Sequence, residues 1–136
     1  MDKQLPRLWL ARALIFTVIA WNLQAAIVFL FSPDAFAPGF ELSGIPGAAA
    51  MRGIAVLFLM WNVPYLAACW HPQKHNLALK EALAMQSIGL LGESWIYCSL
   101  SAEHILLQGS ILRFITFDGA GLALLAIAFV LARQSK

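Results

Sequence analysis

Charged side chains are scarce in this sequence. They make up 12% of 136 residues, about half of the ~25% that an ordinary soluble domain carries. Hydrophobic residues make up 61%, and the mean hydropathy is +0.76. A soluble domain needs a largely polar exterior, so this composition excludes a soluble domain. The formal charge of +2 is too small and too scattered for a nucleic-acid-binding protein. The sequence instead predicts one domain, residues 1–136, with the lipid bilayer as its partner.

Cysteine is also scarce, and the common catalytic motifs are absent from the sequence. Cys69 and Cys98 form no CxxC pair, which argues against thiol–disulfide exchange chemistry. The chain has no glycine-rich phosphate loop, no dinucleotide fingerprint and no G-x-S-x-G nucleophile motif. His71 and His75 have an H-x3-H spacing, but Glu81 is the only further ligand nearby. We therefore predict no metal and no cofactor.

Four apolar stretches have the length of a transmembrane helix, which needs ~20 residues to cross a ~30 Å hydrocarbon core. They cover residues 8–31, 48–70, 82–101 and 105–132. The predicted fold class is therefore all-α, an integral membrane, four-transmembrane-helix up-and-down bundle. Prolines and glycines in residues 32–47 prevent one continuous helix there. The apolar residues of this loop are expected to fold back onto the bundle: Phe36, Phe40, Leu42 and Ile45.

The basic residues predict the orientation of the four spans. Seven of them lie on the side that holds both termini: Lys3, Arg7, Arg12, Lys74, Lys80, Arg133 and Lys136. The other side has Arg52 and Arg113. The positive-inside rule makes the side with seven charges cytoplasmic. We expect a multi-pass protein of the cell (inner) membrane with both termini in the cytoplasm.

Polar side chains within the spans are the candidates for a functional site, because each is costly in hydrocarbon. All four predicted helices bring such groups towards the outer half of the bilayer. They are Asn22, Gln24, Arg52, Glu93, Arg113 and Asp118. Outside the spans, Glu103 and His104 form a conceivable acid–base pair, although neighbours in a short loop are usually just solvated.

Helical phase groups several of these residues. Gln86, Gly89, Glu93 and Tyr97 follow a spacing that forms one polar stripe on the third helix. On the fourth helix, Asp118 shares a face with the small residues Gly121, Ala128 and Ala132, interrupted by Leu125. Small residues mark close helix contacts in membranes. We therefore expect Asp118 to point into the bundle. Trp21, Trp61 and Trp95 lie at depth, whereas Trp9 and Trp70 fit an interfacial belt.

The four charges in the outer half allow two interpretations. Arg52 and Arg113 neutralise Glu93 and Asp118 and hold the helices in register, or the groups line a polar cavity that opens to the outer side. In the second case Glu93 and Asp118 are the candidate catalytic or proton-moving groups. The candidate ligand-binding residues are Arg52, Arg113, Gln24, Gln86, Tyr97, Asn22, Trp21 and Trp95.

Three classes of function fit this pattern. The first is a bundle that binds a small hydrophobic, amphipathic or lipid-like ligand, with or without acting on it. The second is a proton-coupled transporter that uses Glu93. Four short helices with one deep glutamate resemble the small multidrug-resistance transporters in architecture, but those carry the glutamate on the first helix, and no motif is shared. The third is a structural subunit of a homo-oligomer or a larger membrane complex.

Overall fold

The computed structural model describes residues 4–134, and that part of the chain is entirely helical apart from short connections. Its elements are α1 (Gln4–Phe31), α2 (Pro33–Phe36), a 3-10 helix (Ala37–Phe40), α3 (Gly44–Trp70), α4 (Asn76–Ser99) and α5 (Ile105–Gln134). No strand occurs among these residues. Lys3 and Lys136, which contribute to the predicted orientation, lie outside the described residues.

Three helices are long and apolar enough to cross a membrane: α1, α3 and α5, over Leu5–Phe31, Gly44–Trp70 and Ile105–Arg133. This confirms the prediction of an all-α membrane protein. Three helices begin earlier than predicted. Helix α1 begins at Gln4 instead of residue 8. Helix α3 begins at Gly44 instead of residue 48, because Pro46 lies in the first turn, where no intrahelical N–H bond is lost. Helix α4 begins at Asn76 instead of residue 82. The prediction began too late because the first turns of α4 are polar and do not resemble a transmembrane span.

The long helices pack as neighbours around a common core. Helix α1 contacts α3 and α5, and α4 contacts the same two helices. We call the end where α1 begins and α5 ends the lower end of the bundle, and the opposite end the upper end. The lower core contains many alanines, which allow the helix backbones to approach closely. It is formed by Ala11, Ile15, Val18, Ile19, Tyr65, Ala68, Leu79, Ala82, Leu125, Ala128 and Ala132.

The small-residue face of α5 packs inward, as its spacing predicts. Gly121, Ala128 and Ala132 are buried, and Leu125 is buried among them. Ala123 and Ala126, which lie on the other flank of Asp118, face outward. The inward assignment of Asp118 is correct, since that residue is 7% exposed.

Residues 32–43, which we call the first connection, lie across the upper end. Phe36 and Phe40 pack against the upper core around Phe29 and Met51, which confirms that this loop folds back onto the bundle. The prediction is wrong for Ile45, which is 86% exposed. Ile45 belongs to the first turn of α3, and its helical position directs it away from the neighbouring helices.

Candidate functional site

A cavity of about 190 Å³ lies in the upper half, between α1, the first connection, α3 and α5. Seven aromatic side chains line it: Trp21, Phe29, Phe36, Phe40, Phe58, Phe114 and Phe117. Five polar side chains contribute to the same wall: Asn22, Gln24, Ser110, Arg113 and Asp118. The cavity is therefore mainly apolar and has polar groups from two helices.

The aromatic wall is organised around Phe29 of α1. Its ring lies 5.2 Å from that of Phe36, 6.1 Å from that of Phe40 and 6.1 Å from that of Phe114, each in an edge-to-face arrangement. Edge-to-face pairs are favoured by the quadrupoles of the rings. Phe29 therefore joins the first connection to α5 through side-chain packing.

Hydrogen bonds reinforce this junction. The Oγ of Ser110 donates to the carbonyl of Gly39 over 2.5 Å, and Arg113 Nη2 donates to the same Oγ over 3.1 Å. Nearer to the rim, His104 Nδ1 and Glu41 Oε2 are 2.5 Å apart. The hydrogen bond from His104 lowers the pKa of Glu41, and the same bond, together with the carboxylate charge, raises the pKa of His104.

Below the cavity, a chain of hydrogen bonds joins three helices. The hydroxyl of Tyr65 on α3 lies 2.5 Å from Oε1 of Gln86 on α4. Gln86 Nε2 donates to Oδ1 of Asp118 on α5 over 2.9 Å and to the backbone carbonyl of Asp118 over 3.3 Å. Both ends of the Gln86 amide are thus satisfied, which a buried amide requires.

Two glycines create the space for these side chains. A Cβ on Gly89 of α4 would overlap Oδ2 of Asp118. A Cβ on Gly121 of α5 would lie 2.8 Å from Nε2 of Gln86. The absent side chains therefore let α4 and α5 approach, with a polar group of each helix over a glycine of the other.

Glu93 completes the arrangement. Its carboxyl group lies beside the carboxyl group of Asp118, close enough for a side-chain hydrogen bond. Oε2 of Glu93 and Oδ2 of Asp118 receive no N–H or O–H donor from any other described residue. Two carboxyl groups hydrogen-bond only when one of them carries a proton. The chemistry that this pair offers is the binding and release of one proton.

The structure brings most of the predicted site residues together. Trp21, Asn22, Gln24, Arg113 and Asp118 line the cavity. Gln86 and Glu93 contact Asp118 directly below it.

Three predicted residues lie elsewhere. Arg52 borders a shallow depression beside Asp34, near the start of α3. Trp95 is 78% exposed on the outer face of α4. Tyr97 is half-buried and does not line the cavity.

The ion-pair interpretation does not describe these groups. Between residues 4 and 134, the ion pairs within 4 Å join His104 to Glu41 and to Glu103. Neither Arg52 nor Arg113 is paired with Glu93 or Asp118. The two carboxyl groups instead contact each other and Gln86.

Sequence reasoning missed Tyr65 and Ser110. Tyr65 is completely buried in an apolar stretch, and a polar group at such a position is the signal that would have found it. Ser110 lies on the same side of α5 as Asp118, but its partner is the backbone carbonyl of Gly39. No sequence pattern reveals such a partner.

Comparisons with protein families, with characterised proteins and with solved structures give no match for this chain. The fold and the site therefore define its class on their own: a helical membrane protein with an aromatic cavity above a buried carboxyl pair.

Proposed function

We propose that this protein binds a small apolar or amphipathic ligand in the upper cavity. The observation that carries the proposal is the cavity itself, which combines seven aromatic rings with a few polar groups. Ligand sites are typically apolar concavities in which a small number of polar groups fix the orientation of the ligand. A dry apolar cavity of ~150 Å³ holds a benzene molecule. The volume of about 190 Å³ thus fits one substituted aromatic ring or a short alkyl chain.

The polar wall supports a ligand with one polar group. Asn22 and Gln24 on α1 and Arg113 on α5 supply donors and acceptors beside the aromatic rings. A purely aliphatic molecule would leave these groups without partners, which costs free energy in a site removed from water. A phenol or a short alcohol satisfies both parts of the wall.

We also propose that α4 is a fourth span. Its 24 residues extend ~36 Å at ~1.5 Å per residue, enough for a ~30 Å core. It packs against α3 and α5, both of which are apolar enough to span. Its buried Gln86 faces protein, while Ile88, Leu91 and Trp95 are exposed where lipid would lie. This pattern is expected of a membrane helix that carries polar groups inward.

The orientation remains the one proposed from the basic residues. Arg7, Arg12, Lys74, Lys80 and Arg133 all belong to the lower end of the bundle. By the positive-inside rule the lower end is cytoplasmic, and the half of the bundle that holds the cavity faces the outer side of the cell membrane.

Fluorescence of Trp21 tests the ligand proposal, because its ring lines the cavity. The protein is placed in lipid nanodiscs and titrated with bromophenol, whose bromine quenches nearby tryptophan. We expect a saturable quenching component that is lost in Trp21→Phe. Ala25→Phe, which fills the cavity, should abolish it, whereas Ala20→Phe on the exposed face of α1 should not. Equal, non-saturable quenching in all four proteins would contradict the proposal.

Proton-coupled transport is the second candidate, and the Glu93–Asp118 pair favours it. Asp118 belongs both to the cavity wall and to the pair, so ligand entry and proton release share one residue. The test is uptake of the same phenol into proteoliposomes driven by a pH gradient. Glu93→Gln should abolish gradient-driven uptake but retain binding, while Ser94→Ala should transport normally. Uptake that persists in Glu93→Gln would exclude this mechanism.

A further inference from the structure

The first connection forms one wall of the cavity. It packs against α1, α3 and α5, but its side-chain hydrogen bonds come from α5 and the residue before it. Phe36 of α2 and Phe40 of the 3-10 helix point into the cavity wall. Two side chains form hydrogen bonds to the connection. Ser110, on α5, bonds to Gly39, and His104, which directly precedes α5, bonds to Glu41. Moving this segment would open the cavity at the expense of the Phe36 and Phe40 ring contacts, while the direct contacts among the four long helices stay in place.

The backbone conformation of the first connection places the Gly39 carbonyl and the Glu41 carboxylate towards α5. Glu41 N donates to Pro38 O, and Leu42 N donates to Ala37 O, which closes a tight turn after the 3-10 helix. Glu41 itself has a φ of 57°, a left-handed conformation that is uncommon for a residue with a side chain. This conformation aims the Glu41 carboxylate at the start of α5. There Oε2 meets His104, and Oε1 lies 3.5 Å from the backbone N of Leu107.

The charged groups around this contact are few. Glu103 Oε1 lies 3.9 Å from Nε2 of His104, on the side opposite Glu41. From α5, Arg113 reaches Ser110 and lies close to Gly39. An imidazolium between two carboxylates is favoured over a neutral imidazole.

We propose that residues 33–43 are a lid over the cavity, and that the Glu41–His104 pair is a latch that weakens as the pH rises. The role of the lid rests on the proposed function, since it matters only if the cavity admits a ligand. The latch itself is measurable without any ligand.

The direction of the pH effect follows from the two groups. The pKa of His104 is raised above its ordinary 6.5 by Glu41, so the charged latch is fully present below pH 6.5 and is lost as the pH rises through the raised pKa. The pKa of Glu41 is lowered from 4.5, so the latch also persists in mild acid and fails only below that value. The lid is thus held closed most firmly between about pH 5 and pH 6.5.

Modification of a cysteine inside the cavity measures lid opening. Ala25→Cys is made in a chain that carries Cys69→Ser and Cys98→Ser, and is treated in nanodiscs with methyl methanethiosulfonate. Each rate is divided by that of Ala35→Cys, an exposed position on the lid, to remove the pH dependence of the thiol. The corrected rate should rise between pH 6 and pH 9 by about two- to five-fold, the range expected for one solvent-exposed ion pair.

His104→Gln should give the fast rate at every pH, because it retains a hydrogen-bonding side chain without the charge. The matched control is Glu103→Gln, which leaves the contact between Glu41 and His104 intact. It should retain most of the pH dependence. A pH-independent rate in the unsubstituted background, or an unchanged pH profile in His104→Gln, would overturn the latch.

A disulfide tests the lid independently of pH. A Cβ on Gly39 would lie 3.0 Å from Oγ of Ser110. This places the two Cβ atoms within the ~3.5–4.5 Å that a disulfide requires. Oxidised Gly39→Cys/Ser110→Cys should slow the modification of a cysteine at Ala25 at least ten-fold, and reduction should restore it. Each single variant serves as a control for the lost hydrogen bond.

The outcomes separate the two proposals. Slow modification in the oxidised Gly39→Cys/Ser110→Cys protein, together with non-saturable bromophenol quenching, would support the lid and contradict the proposal that the cavity binds a ligand. Equal modification rates in the locked and reduced proteins mean that the cavity is reached by another route, and the lid is then wrong whatever the cavity binds.

Discussion

Oδ2 of Asp118 on α5 lies over the bare Cα of Gly89 on α4, at a place where any Cβ would overlap it. Gly89→Ala should therefore displace the Asp118 carboxylate and destabilise the protein by about 1–3 kcal/mol, the usual cost of overpacking. The control is Gly92→Ala on the same helix, where a Cβ meets nothing within 4 Å. Since alanine is the better helix former, Gly92→Ala should be neutral or stabilising. Thermal unfolding in detergent measures both, and equal melting temperatures would contradict the close contact.

The inward face of α5 provides a second comparison. Ala128 is completely buried and Ala126 is exposed on the same helix. Ala128→Leu should force the helices apart and lower the yield of folded protein, whereas Ala126→Leu should be tolerated because its side chain meets lipid. Gly121→Leu should behave like Ala128→Leu, and Leu124→Ala should cost less than either. Size-exclusion profiles of the four variants check this. Similar tolerance at positions 126 and 128 would remove the inward assignment of this face.

Glu93→Gln should leave the fold nearly as stable as before, because the new amide can donate a hydrogen bond to the neighbouring carboxyl group of Asp118. Asp118→Leu should lower the free energy of unfolding by about 1–3 kcal/mol, because the Gln86 amide then loses its side-chain acceptor. Adding Arg52→Gln or Arg113→Gln should not rescue either variant, since neither arginine is paired with these carboxyl groups. Chemical denaturation of single and double variants measures the coupling. A stabilising effect of an arginine substitution in Glu93→Gln would restore the ion-pair interpretation.

Single cysteines test the membrane topology. In a background without Cys69 and Cys98, an impermeant maleimide added to intact cells should label Ala35→Cys and Ser101→Cys at the upper end. Lys74→Cys, in the connection between α3 and α4, should react only after the membrane is permeabilised, because the proposed orientation places the basic lower end in the cytoplasm. Labelling of Lys74→Cys from outside would reverse the orientation. Labelling of Ala35→Cys and Ser101→Cys from opposite sides would mean that the number of spans between them is odd.

Helical phase was sufficient to predict which side of α5 is buried and that Gln86 and Glu93 share one face of α4. These residues repeat at intervals that place them on one face, and the cost of exposing them to lipid fixes the direction of that face. Phase alone did not place Arg52 or Trp95 correctly. Both are near the upper ends of their helices, where small differences in rotation and tilt decide between the cavity and the surface.

The contacts of the first connection were beyond sequence reasoning for a different reason. Glu41 and His104 are 63 residues apart. Glu41 follows the end of the 3-10 helix and His104 precedes the start of α5, and the position of each depends on the packing of the whole bundle. The composition of the loop predicted that it would fold back onto the bundle. Nothing local predicted that Gly39 and Glu41 would meet the beginning of α5.

The reciprocal placement of Gln86 over Gly121 and Asp118 over Gly89 restricts how this protein can move. If α4 slid along α5 by one turn, both polar side chains would collide with larger neighbours, and the amide of Gln86 would lose its acceptor. The two helices therefore have a single register and move as one rigid body. Motion that exposes the cavity is therefore expected at its boundary with α1, α3 and the first connection, while the Gln86 and Asp118 side chains between α4 and α5 keep their arrangement.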